Sequence, residues 1–213
     1  MCFGKVPAKD IVKAFDVSLI LYAEHSFNVS TFTARTITSS LSDIHGAITG
    51  AIASLKGPLH GGANEEVMHM MNKIKTPEKA LKWINNALDK KEVVMGFGHR
   101  VYKKGDSRVP TMEKYFRKVS NAKHDKKFVK IYDIVKNVMI EKKNIHPNVD
   151  YPTGPTYHLM GFDTDFFTPI FVISRITGWS AHIMEQHAAN KLIRPLSKYT
   201  GSDHRKVLLL NQR

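Results

Sequence analysis

Apolar residues recur at three- and four-residue intervals along almost the whole 213-residue chain, and no stretch alternates convincingly between apolar and polar positions. This pattern constrains the fold more than any other feature: it predicts an all-α protein in which helices, not strands, enclose the core. Ile11, Phe15 and Leu19 mark an amphipathic helix over about residues 9 to 24. A second runs to Leu55, with Leu41, Ile44, Ile48, Ile52 and Leu55 along one side, and stops at Gly57-Pro58. Thr76-Pro77-Glu78 combines a capping hydroxyl, a proline at the first helical position and an acid at the positive end of the dipole, so a helix with Ala80, Ile84 and Leu88 on its stripe is expected there. Phe128, Ile131, Val135 and Val138 define another, lysine-rich on its far side. From Thr168-Pro169 to about Lys191 the chain is apolar on nearly every side, as in a helix buried in a large core or between subunits, and Gly178 and Ala181 would let a second helix come close.

Hydrophobic residues make up 42% of the chain and charged residues 24%, within the range of a globular protein able to bury a core. The apolar stretch from Pro169 to Met184 is interrupted by Arg175 and His182 and is too short to cross a bilayer. The start, Met1-Cys2-Phe3-Gly4-Lys5, lacks the apolar centre of a signal peptide, and the single cysteine, Cys2, rules out an internal disulfide; a cytoplasmic setting is expected. A net charge of +13 predicts attraction to anions, either a nucleic acid or a smaller phosphate-bearing ligand. Lysines crowd the region between Lys73 and Lys143, flanked by more hydrophobic ends. That shift predicts a small domain (61–151) inserted between two parts of a larger helical one (1–60 and 152–213).

Three loops carry the chemistry: Gly57-Pro58-Leu59-His60-Gly61-Gly62-Ala63-Asn64, Gly96-Phe97-Gly98-His99-Arg100 and Pro147-Asn148-Val149-Asp150-Tyr151-Pro152. Two imidazoles and a carboxylate on separate loops are what proton abstraction beside a carbonyl requires. Glycines next to His60 and His99 allow a ligand to approach the backbone closely. The prolines around Asp150 discourage helix, and a turn aspartate bonding its own backbone is the alternative reading. Arg108, Arg175 and Arg194 can supply fork-shaped donors for carboxylates, although each also reads as an ordinary helix-end or surface arginine. No metal site is expected: the histidines include no HExxH spacing, and His182 and His187 are five residues apart and point to different helix faces.

Taken in order, Tyr22-Ala23-Glu24-His25-Ser26-Phe27-Asn28-Val29-Ser30-Thr31-Phe32-Thr33-Ala34-Arg35, the Gly57 to Asn64 loop, Val93 to Tyr102, Asn148-Val149-Asp150 and Ile193-Arg194-Pro195 resemble the citrate synthase family, including its 2-methylcitrate synthase branch. The resemblance implies a two-domain helical homodimer that condenses acetyl-CoA with oxaloacetate, or propionyl-CoA in the alternative branch, with no tightly bound cofactor. It further implies that Asp150 is the base, that His60 binds the thioester oxygen, and that His99 polarises the oxaloacetate carbonyl. His25, Arg108 and Arg175 would hold the oxaloacetate carboxylates, with Arg194 reaching in from the partner subunit; Gly96, Gly98 and Lys103 would contact coenzyme A. Family members are longer at the N-terminus, so the chain alone is expected to be poorly soluble or inactive. A basic nucleic-acid-binding module lacks the interleaved aromatics or recognition helix it would need, and a non-catalytic remnant is the remaining alternative.

Overall fold

The computed structural model describes residues 4, 6–203 and 205–213; Cys2 lies outside them. The described residues form nine α-helices: α1 (Lys9–Tyr22), α2 (Val29–Ser39), α3 (Ile44–Leu55), α4 (Ala63–Ile74), α5 (Pro77–Asp89), α6 (Val109–Ala122), α7 (Lys127–Lys143), α8 (Asp150–Met160) and α9 (Phe167–Ala188). Short 3-10 turns lie at Thr164–Phe166 and Leu210–Gln212. No strand occurs among the described residues; one isolated antiparallel bridge joins Phe97 to Pro147. None of the described helices is long and apolar enough to cross a membrane.

Two apolar clusters hold these helices. The larger gathers Val67, Met68 and Met71 of α4, Ile84 of α5, Phe116 of α6, Ile131 and Val135 of α7, Tyr151 and Tyr157 of α8, Ile11 of α1 and Phe167 of α9. The smaller joins Tyr22, Ala34 of α2, Ala47, Ala51 and Leu55 of α3, and Phe171, Trp179 and Ile183 of α9. Helix α7 buries the stripe its spacing predicts.

Helix α3 buries only part of its predicted stripe, Leu55 fully and Ile48 in part. It starts at Ile44, where Asp43 accepts a hydrogen bond from the Gly46 N–H at 2.8 Å, and Leu41 sits before it with φ +66°. Its buried side is Ala47, Ala51 and Leu55, while Ile44 and Ile52 are exposed. Helix α2 comes closest at Gly50, where a Cβ would collide with Ile37 Cδ1. Small side chains therefore take the contact.

The start signals at two helices also differ from expectation. Thr76 occupies the N-cap of α5 but accepts no capping bond. Thr168 lies inside α9, which begins at Phe167; its N–H donates to Glu65 at 2.9 Å and its hydroxyl, buried, has no partner. Gly178 does meet another helix closely, with a Cβ there falling 2.3 Å from the Ala23 carbonyl, whereas Ala181 is exposed. So are Ile173, Ile176 and Met184 of α9. Residues 190–200 have no helix or strand and are largely exposed, tied to the end of α2 where Asn190 and Ile193 donate to Ser39.

Candidate active site

His60 hangs from the turn that ends α3. The Gly61 N–H returns to the Leu55 carbonyl at 2.7 Å, and a Cβ on Gly61 would lie 2.6 Å from that oxygen, so the turn needs glycine. His60 Nε2 accepts from the Ser30 N–H at 3.2 Å and lies 2.8 Å from Ser30 Oγ. Accepting a backbone N–H leaves the imidazole proton on Nδ1. The Ser30 hydroxyl is itself held by the Trp179 indole N–H at 3.1 Å and by Asn28 at 2.8 Å, and Asn28 caps α2 through the Thr31 N–H. Burial, reinforced by Arg175 and His25, lowers the His60 pKa to about 4, so the ring is neutral at pH 7.

His99 follows Gly96 and Gly98, whose φ angles of +83° and +79° suit glycine. Its Nδ1 accepts from the backbone N–H groups of Val101 and Tyr102 at 3.0 and 3.1 Å. The proton therefore sits on Nε2, which faces His25 Nε2 at 3.1 Å. Burial lowers the pKa of both rings, to about 4 for His25, where Arg108 and His99 add to the effect. Tyr102 stacks on His25 at 5.4 Å between centroids.

Asp150 is the first residue of α8, not a turn aspartate, correcting the sequence expectation. Pro152 falls in the first turn, where no N–H is needed, and Pro155 removes only one bond from a helix that is buried along most of its length. Asn148 joins this helix start to the His99 loop: its N–H donates to Gly96 O at 2.9 Å, its amide to Gly98 O at 3.0 Å, and its Oδ1 accepts from the Asp150 N–H at 3.1 Å. Tyr22, at the end of α1, donates to Asp150 Oδ1 at 2.5 Å. Burial raises the Asp150 pKa to about 6, with the Tyr22 bond and Arg108 pulling in the other direction.

Two arginines adjoin these groups. Arg175 is 1% exposed; its Nε donates to the Tyr22 carbonyl at 2.6 Å, its guanidinium lies over Phe171 at 4.8 Å, and its Nη1 has no partner among the described residues. Burial, then Arg108, pulls its pKa down to about 10. Its charge acts on His60, His25 and Asp150 alike. Arg108 is clamped by Asp106 at 2.9 and 2.7 Å, and Asp106 also accepts the Val149 N–H at 3.0 Å.

The fold thus gathers His25, His60, His99, Arg108, Asp150 and Arg175. Arg194 stays apart, exposed on the extended tail, and Lys103 is exposed with its ammonium 3.4 Å from the His99 carbonyl. Two cavities adjoin the site without containing the imidazoles. One of about 670 Å³ lies beyond Asp106, between α6 and α7; another of about 300 Å³ is lined by Val94, Phe97, Met139, Lys143 and Ile145. No cluster of His, Cys, Asp or Glu able to hold a metal occurs among the described residues. Sequence reasoning missed Tyr22, Ser30, Asp106, Asn148 and Trp179. Asp106 had a local signal, an aspartate two residues before an arginine, and Asn148 stood within the Pro147 to Pro152 stretch itself.

A family model described as "Citrate synthase, C-terminal domain" matches residues 1–196. The chain is 62% identical to 2-methylcitrate synthase 2 of Corynebacterium glutamicum, covering 100% of this chain and 57% of that protein. It is 56% identical to a citrate synthase of Mycolicibacterium smegmatis, covering 98% of this chain and 56% of the relative. Its fold superposes with a TM-score of 0.90, at 38% identity, on the Thermoplasma acidophilum citrate synthase solved with carboxymethyl coenzyme A and oxaloacetate, covering 99% of this chain and 57% of that one. The chain spans little more than half the length of these relatives. It belongs to the citrate synthase family.

Proposed function

We propose that these residues form the catalytic part of an acyltransferase that condenses acetyl-CoA with oxaloacetate to give citrate and free coenzyme A. Asp150 takes a proton from the α-carbon of the thioester while His60 donates from Nδ1 to the thioester oxygen. The resulting enol carbon attacks the ketone carbon of oxaloacetate as the enol proton returns to His60 Nδ1 and the thioester carbonyl re-forms; the Nε2–H of His99 is donated to the ketone oxygen as it becomes a hydroxyl, and His99 regains a proton from water while Asp150 releases the one it took. Water then cleaves the citryl thioester. His25, Arg108 and Arg175 bind the oxaloacetate carboxylates, and Arg194 is contributed by the partner of a homodimer. Gly96, Gly98 and Lys103 contact coenzyme A, a role consistent with the cavity behind Phe97 and Lys143.

One observation carries the reading: a carboxyl raised to about 6 shares the fields of Arg108 and Arg175 with imidazoles that are neutral and whose protons are placed by the backbone bonds they accept. A thioester α-proton is only weakly acidic, so its removal needs a fixed donor at the developing oxyanion, a contribution of about 3 kcal/mol. The small domain, 61–151, closes over the segments 1–60 and 152–213 to exclude water. The protein works in the cytoplasm.

Propionyl-CoA is the second reading, favoured by the 2-methylcitrate synthase relative at 62% identity. One methylene changes pocket affinity by only about 1 to 3 kcal/mol, so both substrates are accepted to some degree. The test is release of free thiol with oxaloacetate and either acyl-CoA, by the chain alone and by the chain joined to the N-terminal segment its relatives carry in addition. Full rate in Asp150→Ala would remove the assigned base.

A further inference from the structure

We propose that Tyr22 is a positioning residue for the condensation: through its hydroxyl it occupies one oxygen of Asp150 and holds the other towards the acyl α-carbon, while its carbonyl holds Arg175. This rests on the reading of Asp150 as the base.

Tyr22 lies at the last turn of α1, 1% exposed, with its ring edge-on to Phe171 at 4.1 Å. Its two polar ends are both engaged. The phenol donates to Asp150 Oδ1 at 2.5 Å across 128 residues of sequence, and the carbonyl accepts from Arg175 Nε at 2.6 Å across 153. Asp150 Oδ2 accepts no hydrogen bond among the described residues. With Oδ1 bonded, Oδ2 is the oxygen left to take a proton, and the phenol fixes the plane of the carboxylate; without it the group could rotate.

The phenol keeps its proton throughout. Burial, with Asp150 adding its charge, raises the Tyr22 pKa well above its ordinary value, so it acts as a donor and never as a competing base. The groups bearing on Asp150 are Tyr22 from α1, Asp106 from the loop before α6, Arg108 at the start of α6, Tyr157 from its own helix and Arg175 from α9. Among these, Tyr22 alone donates to the carboxyl oxygens within hydrogen-bond distance.

The experiment compares wild type, Tyr22→Phe and Asp150→Asn in the chain carrying the N-terminal segment of its relatives, reading kcat, KM and the pH profile of kcat/KM. It adds a carbon NMR titration of the Asp150 carboxyl, which needs no turnover. In Tyr22→Phe, kcat falls about 10- to 100-fold with the acyl-CoA KM nearly unchanged, a loss typical of a misaligned reacting group. The acid limb of the profile and the Asp150 titration both move upward, since a bond favouring the ionised form has gone. A Tyr22→Phe protein with helical content intact and both titrations unmoved would overturn the proposal. Should Asp150→Asn retain its rate, the assignment of the base fails instead. An inactive Asp150→Asn beside an unshifted Tyr22→Phe sinks only the role of Tyr22.

Discussion

Ser30 Oγ lies 2.8 Å from His60 Nε2 and 3.1 Å from the Trp179 indole nitrogen, so a helix α9 side chain fixes the orientation of an imidazole on the loop after α3. The Ser30 N–H remains in Ser30→Ala, but the hydroxyl linking the indole to the ring is lost. Trp179 is fully buried, and its orphaned N–H costs about 1 to 3 kcal/mol of stability. Turnover falls about 10-fold as the ring loses one of its two anchors. Nitrogen NMR of His60 checks the tautomer: the Ser30 N–H that remains keeps the proton on Nδ1 in both proteins, and a proton found on Nε2 in wild type would overturn the assignment.

Asn148 makes three bonds that tie the His99 loop to the start of α8. Asn148→Ala removes two of them, leaving the Gly98 carbonyl and the Asp150 N–H to solvent. Expected are a loss of about 1 kcal/mol in stability and a fall in kcat near 100-fold, since base and electrophile are then no longer in fixed register. Chemical denaturation beside steady-state kinetics separates the two; a kinetic loss no larger than the stability loss would argue against register control.

The titration of Asp150 has opposite consequences for activity and stability. Its pKa rises from 3.8 to about 6 on folding, so the native state binds the proton more tightly than the unfolded chain does. Ionisation therefore subtracts stability, a penalty that begins above about pH 4 and is complete above about pH 6. The base is active only when ionised, so kcat/KM climbs through about pH 6 while stability declines. Asp150→Asn preserves an oxygen for the Tyr22 hydroxyl and removes the penalty, and should be inactive yet about 3 kcal/mol more stable at pH 7.5. Thermal melts at pH 7.5 and pH 4 check the sign: the stabilisation should vanish at the lower pH.

These relationships differ in how far the sequence reveals them. Helix α7 is legible because Phe128, Ile131, Val135 and Val138 face one uniform core, so periodicity and burial coincide. Helix α3 misleads because its tightest neighbour selects for small residues, turning Ala47 and Ala51 inward and leaving Ile44 and Ile52 outside. Helix α8 was hidden by its prolines, which a buried helix start tolerates. His60, His99 and Asp150 are conspicuous because glycine, proline and asparagine surround them. The residues that hold them, Tyr22, Ser30 and Trp179, sit in ordinary helical patterns, and their partners lie as far as 153 residues away in sequence.

Gly96 and Gly98 have similar positive φ angles but different surroundings. A Cβ on Gly96 would lie 2.7 Å from Val67 Cγ2 and 2.8 Å from Tyr151 Cβ, whereas on Gly98 the nearest atom is 3.6 Å away. Gly98→Ala should cost about 1 to 2 kcal/mol, the penalty of the left-handed backbone alone. Gly96→Ala adds overpacking against α4 and α8, raising the loss to about 3 kcal/mol or more. Denaturant midpoints decide; equal losses at the two positions would mean that the α4 and α8 side chains yield easily.

Arg175 offers a test that does not depend on turnover. Its guanidinium is buried, one nitrogen lacks a partner, and burial already weakens its hold on its proton, so the protein bears the cost of an incompletely compensated cation. A dianionic dicarboxylate that accepts from that nitrogen relieves the cost. Oxaloacetate at 100 times its Kd should therefore stabilise wild type by about 2.7 kcal/mol. Arg175→Met fills the same space without charge: it should melt no lower than wild type in the absence of ligand and gain nothing from oxaloacetate. Arg175→Lys retains the charge but not the fork, so it should keep only a small part of the ligand-induced shift. If Arg175→Met were stabilised by oxaloacetate as strongly as wild type, the carboxylate would have to bind elsewhere, and the unpartnered nitrogen would need a different explanation.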